Sequence, residues 1–99
     1  MLMGRVLGTV VASQKDAGLA GMKLHVVQQT DAYGEPKGSY VVAVDSVGAG
    51  VGELVLFASG SSARQTEITQ NKPVDAVIMA VVDEVHMQGK TTFLKSNEA

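Results

Sequence analysis

Apolar and polar positions alternate with a strand-like period along most of the chain. Residues Met3 to Ala12 (MGRVLGTVVA), Lys23 to Thr30 (KLHVVQQT), Ser39 to Asp45 (SYVVAVD) and Glu53 to Ser59 (ELVLFAS) are short, valine-rich runs bounded by turn residues. β-Branched side chains pack well on a pleated surface, so each run predicts a strand. In the second run the period of two puts Leu24 and Val26 on one side and Lys23, His25 and Val27 on the other. Gly4 and Gly8 in the first run predict bends or the close approach of another backbone, as at a barrel corner. Ser13 to Gly18 is polar and turn-like, with Gly21 closing the loop. Asp31 to Gly38 (DAYGEPKG) is a second turn-rich connection, its tip the place most tolerant of change.

After the fourth run, Ser61 or Ser62 is placed to cap one or two helical turns over SARQTE, which Asn71-Lys72-Pro73 ends. Val74 to Met87 is long enough for a helix. However, Val74, Val77, Ile78, Val81, Val82 and Val85 are β-branched and Pro73 stands immediately before, so the pattern predicts one long, strongly bent strand. Gln88-Gly89-Lys90 is a turn, Thr91 to Lys95 a short last strand, and Ser96 to Ala99 a frayed end. The fold class predicted is all-β: one domain over residues 1–99, a small closed barrel of five to six strands with one short helix. It is similar to the oligonucleotide/oligosaccharide-binding (OB) fold, with the helix after the fourth strand instead of the third.

Composition narrows the function. The only aromatic residues are Tyr33, Tyr40, Phe57 and Phe93, and the formal net charge is −2. Cations are scattered, which excludes the basic stripe of a nucleic-acid footprint. With no cysteine there is neither a disulfide framework nor a thiolate metal site, and a reducing cytosol is allowed. No signal peptide and no apolar run of membrane-spanning length is visible, so a cytoplasmic protein with no membrane partner is expected.

The most constrained stretch is Asp45 to Arg64, DSVGAGVGELVLFASGSSAR. Gly48, Gly50 and Gly52 alternate with small residues in a loop whose surface is mostly main chain. It is not G-x-G-x-x-G, and no Lys-Ser/Thr follows, so phosphate binding is not indicated. The Ser59-Gly60-Ser61-Ser62 cluster lacks the second glycine of a nucleophile elbow. Arg64 is expected to form an ion pair with Asp45, Glu53, Asp75 or Asp83, within or between subunits. His25 and His86 are expected at an exposed rim. Glu84 and His86 share a strand face while Asp83 points away, and two ligands without a third do not make a metal site. Met1, Met3, Met22, Met79 and Met87 show no stripe and serve as gap fillers.

The combination Asp45-x-Val47-Gly48-Ala49-Gly50-x-Gly52-Glu53, then Gly60-Ser61-Ser62-Ala63-Arg64, then Pro73-Val74-Asp75-Ala76 and Val82-Asp83, resembles the vertex protein family of bacterial microcompartments, the EutN/CcmL type. Gly4-Arg5-Val6-x-Gly8-Thr9-Val10-Val11-Ala12 and Leu24-x-Val26-Val27-Gln28 resemble it too. The likeness runs from Met1 to about Val85. Ala80 stands where a glycine is expected, and His86 to Ala99 match no family pattern. The resemblance implies a barrel that assembles as a cyclic pentamer and closes the five-fold corners of a polyhedral shell around enzymes in the bacterial cytosol. It implies no catalytic role and no cofactor, with other copies of itself and hexagonal shell tiles as partners. The bare backbone segments then become candidates for the subunit interface or pore: Gly48, Ala49, Gly50, Gly52 and Glu53, and Ser59, Gly60, Ser61, Ser62 and Arg64. Which of the two lines the pore is open.

Two other functions compete with this one. An OB-like module for oligonucleotides or small ligands needs a basic groove with stacking aromatics, which this sequence lacks. An enzyme would rest on acid/base work by Asp83, Glu84 and His86 and needs a pocket that gathers them.

Overall fold

The computed structural model describes residues 1–98. Leu2–Val10 (β1), Leu24–Thr30 (β2), Pro36–Asp45 (β3), Leu54–Ser59 (β4) and Ala76–Val81 (β5) close into a barrel in the order β1-β2-β3-β5-β4, with β4 returning to pair with β1. Neighbours are antiparallel except β3 and β5, which pair in parallel through Val44–Val77 and Asp45–Ile78. Glu84–Met87 (β6) and Lys90–Leu94 (β7) form a separate two-stranded hairpin. The all-β barrel read from the pattern is therefore present, with a hairpin appended. Among the described residues the helical content is three short 3-10 turns, at Ala17–Leu19, Gly60–Arg64 and Lys95–Asn97.

Alternation explains the barrel's interior. Val6, Val27, Ala43, Val55, Phe57 and Ile78 point inward and are almost fully buried. Gly4 is where interior space runs out: a β-carbon there would lie 2.5 Å from Val27 Cγ1 and 2.8 Å from Phe57 Cε1. The close approach predicted for Gly4 is real. At Gly8 the register of β1 on β2 shifts between Val6 and Gly8, which leaves Leu7 outside and about half exposed.

Two further apolar clusters lie outside the barrel. Val44, Ala58 and Val77 are covered by Ala63 of the Gly60–Arg64 turn, with Val74 and Met22 at the margin. Leu54, Val82 and Phe93 join the hairpin to the barrel.

The structure corrects several sequence expectations. Val74 to Met87 is not one bent strand. Its barrel part ends at Val81, and β6 begins at Glu84 in the other sheet. The break comes at Val82, whose amide donates to the Leu54 carbonyl while its side chain seats in the Leu54–Phe93 cluster. β3 starts at Pro36 instead of Ser39. The turn before it is tight because the Asp31 carboxylate accepts the Tyr33 and Glu35 amides, at 2.8 and 3.1 Å. Proline is tolerated at that first strand position.

The predicted helix is a single 3-10 segment, and serine does not cap it by accepting amides. Ser62 Oγ donates to the Ser59 carbonyl at 2.7 Å, and Ser59 at the cap position makes no side-chain bond. The end expected to fray is held at Lys95–Asn97 by a 3-10 turn, and Glu98 pairs with Arg5. Ala99 lies outside the described residues.

Candidate functional site

The loop from β3 to β4 is built around Asp45, the last residue of β3. Its side chain is 1 % exposed. Oδ1 accepts the amides of Val47, Gly48 and Ala49 at 3.0, 3.0 and 3.2 Å, which curls the loop over the end of the barrel. Oδ2 lies 3.0 Å from His25 Nε2, and the same nitrogen lies 3.1 Å from the Ala49 carbonyl oxygen. Two oxygen acceptors at one ring nitrogen place the proton on Nε2. Among the described residues Nδ1 is buried without a partner. Burial alone would raise the Asp45 carboxyl. The Val47 and Ala49 amides and His25 outweigh it and hold the group below the ordinary carboxylate value. His25 is thus not the rim residue expected from sequence: it is 1 % exposed, the inward partner of Val27 on β2.

Among the sequence candidates in this loop, Ala49 faces inward and is buried in the core. Gly48, Gly50 and Gly52 are exposed. Gly48 and Gly52 need the glycine backbone, with φ of 74° and 93°. Glu53 closes the loop from the far side. Its Oε1 accepts the Gly50 amide and its Oε2 accepts Lys95 Nζ, both at 2.6 Å. Lys95 first, then the Gly50 amide, lowers the Glu53 carboxyl, and Glu53 in turn raises Lys95.

Arg5, which sequence reasoning did not single out, ties three segments together. Nη1 donates to the Gly52 carbonyl at 3.1 Å and to Glu98 Oε1 at 2.7 Å, and Nη2 donates to the Gly34 carbonyl at 3.1 Å. The guanidinium carbon stands 5.8 Å from the centre of the Phe93 ring. The loop, the Asp31–Gly34 turn and the C-terminal segment converge on this one cation.

The second candidate group sits elsewhere. Ser59, Gly60, Ser61, Ser62 and Arg64 are exposed in and beside the 3-10 turn that follows β4, whereas the glycine loop precedes β4. The two groups lie at opposite ends of β4, roughly 17 Å apart at an ordinary strand rise. The structure does not bring them together. Among the described residues of the protomer Arg64 makes no ion pair: its Nη1 donates to the Val74 carbonyl at 3.0 Å. Asp45 is taken by His25 and Glu53 by Lys95.

Asp83, Glu84 and His86 do not share a pocket: Asp83 and Glu84 border a shallow depression beside Lys95, and His86 is not part of its lining. Glu84 and His86 are 54 % and 62 % exposed and stand 3.7 Å apart on the hairpin. Among the described residues no group of three or more histidine, cysteine or acidic side chains is placed to hold a metal ion.

Residues 1–83 match the family described as "Ethanolamine utilisation protein EutN/carboxysome". The chain belongs to the EutN/CcmL family. It is 43 % identical to the carboxysome shell vertex protein CcmL of Gloeobacter violaceus, over 99 % of this chain and 98 % of that one. To the microcompartment shell vertex protein EutN of Salmonella typhimurium it is 46 % identical, over 96 % of each chain. Among solved structures, Gloeobacter violaceus CcmL superposes with a TM-score of 0.92, covering 98 % of this chain and 100 % of that one, at 43 % identity. GrpN of Rhodospirillum rubrum, described as a pentameric microcompartment shell protein, gives a TM-score of 0.80 at 44 % identity, covering 88 % of this chain and 99 % of that one.

The family match stops at Val82-Asp83, where the structure leaves the barrel for the hairpin. The sequence resemblance had already ended near there. The site residues that sequence reading missed were partly signalled: His25 in phase with Val27, and Asp45 at a strand end followed by glycine. No local pattern announced the Arg5 contacts, because its partners lie 29 to 93 residues away.

Proposed function

We propose that this chain is a non-enzymatic structural protein that forms a homopentamer and caps the five-fold vertices of a bacterial microcompartment shell, in the cytoplasm. The observation that carries this reading is end-to-end similarity to shell vertex proteins at more than 40 % identity, together with superposition on a relative described as pentameric. The work of such a protein is geometric. Flat arrays of hexagonal tiles cannot close without five-fold defects, so a few pentamers decide whether the shell seals. Hexagonal shell proteins are the partners this role calls for.

A closed ring needs a heterologous contact, one face of a subunit meeting a different face of the next. The exposed backbone of Gly48, Gly50 and Gly52 at one end of β4, and the Ser59–Ser62 turn with Arg64 at the other, remain our candidates for the segments that crowd together around the axis. Their positions support this: both lie outside the barrel wall, and Gly48, Gly50, Gly52 and Gly60 leave bare backbone there that a neighbour can approach. Glu53 and buried Ala49 act in support, by fixing the loop's shape from within the protomer.

Native mass spectrometry at micromolar concentration tests the reading. The expected species has five times the 10.3 kDa chain mass, and negative-stain electron microscopy should show rings. A chain that remains monomer or dimer under these conditions overturns it.

A further inference from the structure

The two halves of the glycine loop are held by different means. The first hangs on Asp45, whose side chain is 1 % exposed and accepts the Val47, Gly48 and Ala49 amides, and Ala49 is anchored in the core. The second hangs on ion pairs that face water. Lys95 Nζ meets Glu53 Oε2 at 2.6 Å, and Glu53 Oε1 accepts the Gly50 amide. Arg5 Nη1 donates to Glu98 Oε1 at 2.7 Å, and the same nitrogen donates to the Gly52 carbonyl. The side chains of Lys95 and Glu98 are 44 % and 47 % exposed, those of Glu53 and Arg5 25 % each. Both outer partners stand in one short stretch, the Lys95–Asn97 turn and the residue after it. That stretch is fixed at its base, where the Lys95 amide donates to the Asp83 carbonyl and Phe93 seats against Leu54 and Val82. Each arm reaches the loop through one intermediate side chain, and the two have opposite polarity. An ammonium acts through a carboxylate on an N–H, and a carboxylate acts through a guanidinium on a carbonyl.

We propose that the segment 95–98 is a salt-sensitive latch on the glycine loop: closed, it fixes Gly50 and Val51, and opened by salt it frees them without disturbing 47–49. The proposal stands whether or not the chain forms a ring. Exposed ion pairs weaken as ionic strength rises, and at about 1 M salt the screening length is about 3 Å. The Asp45–His25 pair, at 1 % exposure on both sides, is screened much less. Backbone bonds confine the motion. The Gly52 amide donates to the Val6 carbonyl at 2.7 Å and the Val6 amide to the Glu53 carbonyl at 3.0 Å, so the far end of the loop stays on β1. Between that end and the Ala49 anchor stand Gly50 and Val51, and Val51 is 63 % exposed. The latch therefore aims the apolar side chain that this part of the loop presents to its surroundings. Asp83 and Glu84 border the same depression as Lys95. An ammonium that leaves Glu53 has other carboxylates to turn to, which keeps the cost of opening low.

The test reads solvent exchange of single loop amides by NMR, in the full chain, at about 0.05 M and about 1 M sodium chloride. The variants are Lys95→Met, which keeps the stem and drops the charge, Lys95→Arg, which keeps the charge, and Glu98→Ala. At low salt the Gly50 amide should exchange about threefold faster in Lys95→Met than in the parent, and at the parent rate in Lys95→Arg. High salt should bring the parent to the Lys95→Met rate and leave Lys95→Met where it was. The Val47, Gly48 and Ala49 amides should keep one rate throughout. Glu98→Ala should give a smaller rise, because Arg5 keeps its bond to the Gly34 carbonyl. A Gly50 rate that neither salt nor Lys95→Met changes overturns the latch. A rise shared by every loop amide, with a lower thermal midpoint, also overturns it, since Lys95 would then be a plain stabilising residue. The salt series on the parent carries the test if a variant does not fold.

Discussion

Lys95 and Glu53 meet at 2.6 Å, and the same carboxylate accepts the Gly50 amide at 2.6 Å through its other oxygen. The end of the chain thereby helps to shape the glycine loop. Replacing Glu53 by alanine removes both contacts at once. We expect the Gly50 amide to exchange with solvent markedly faster, with only a small loss of global stability because the pair is partly exposed. Hydrogen exchange resolved to residues 46–53 checks this. Unchanged protection would mean that Asp45, with the Gly52 contacts to Arg5 and Val6, holds the loop without Glu53.

Gly4 and Gly48 should respond to alanine for different reasons. At Gly4 the new methyl collides with Val27 Cγ1 and with the Gln28 carbonyl oxygen, 2.5 and 2.9 Å away. Overpacking of this kind costs about 1–3 kcal/mol. At Gly48 the space is open, and the penalty comes from a φ of 74°, worth roughly 1–2 kcal/mol. Urea unfolding of both variants reads the difference. A crystal structure of Gly4→Ala should show displaced side chains, and one of Gly48→Ala only a shifted loop.

Gly50 separates folding from assembly. Its φ is not in the left-handed region, and a β-carbon there would meet the Glu53 carboxylate, its Oε1 at an ordinary 3.4 Å. Gly50→Val is therefore expected to leave the thermal midpoint of the protomer nearly unchanged while weakening the pentamer, because bulk is added where copies are proposed to crowd. Equal damage to both, read by calorimetry beside native mass spectrometry, would reduce this loop to an ordinary turn.

Acid should loosen the same region. The Asp45 and Glu53 carboxyls both lie below their ordinary values in the folded chain. The folded state then binds fewer protons than the unfolded one across the carboxylate range, so stability rises with pH there. The contribution is fully present above the unfolded carboxylate values near 4 and is lost as pH falls through the lower folded ones. Unfolding free energy measured from about pH 6 to pH 3 should fall more steeply for the parent than for Asp45→Asn. Parallel curves would mean that the Asp45 carboxylate is not linked to folding.

Much of the barrel was legible because its strands obey one local rule. Val6, Val27, Ala43, Val55 and Phe57 alternate with outward residues, and a run of such strands between turns admits few other folds. The segment 74–87 misled because β-branched content marks extended backbone without saying to which sheet each residue belongs. That is settled by Val82 turning into the Leu54–Phe93 cluster, a contact with residues far along the chain. His25 was misplaced for a related reason. Its phase with Val27 pointed inward, but the carboxylate that makes burial tolerable is Asp45, twenty residues on.

The parallel seam of Val44–Val77 and Asp45–Ile78 has a consequence for synthesis. β3 and β4 both wait for a strand that begins at Ala76, so a nascent chain that lacks β5 has no closed wall. Meanwhile its valine-rich strands present unsatisfied edges, the kind that stick to other chains. Closure at such long sequence separation is intrinsically slow. The subunit should therefore become competent to join a shell only once Ala76–Val81 has been made and has closed the wall, whatever the pace at which its future neighbours accumulate.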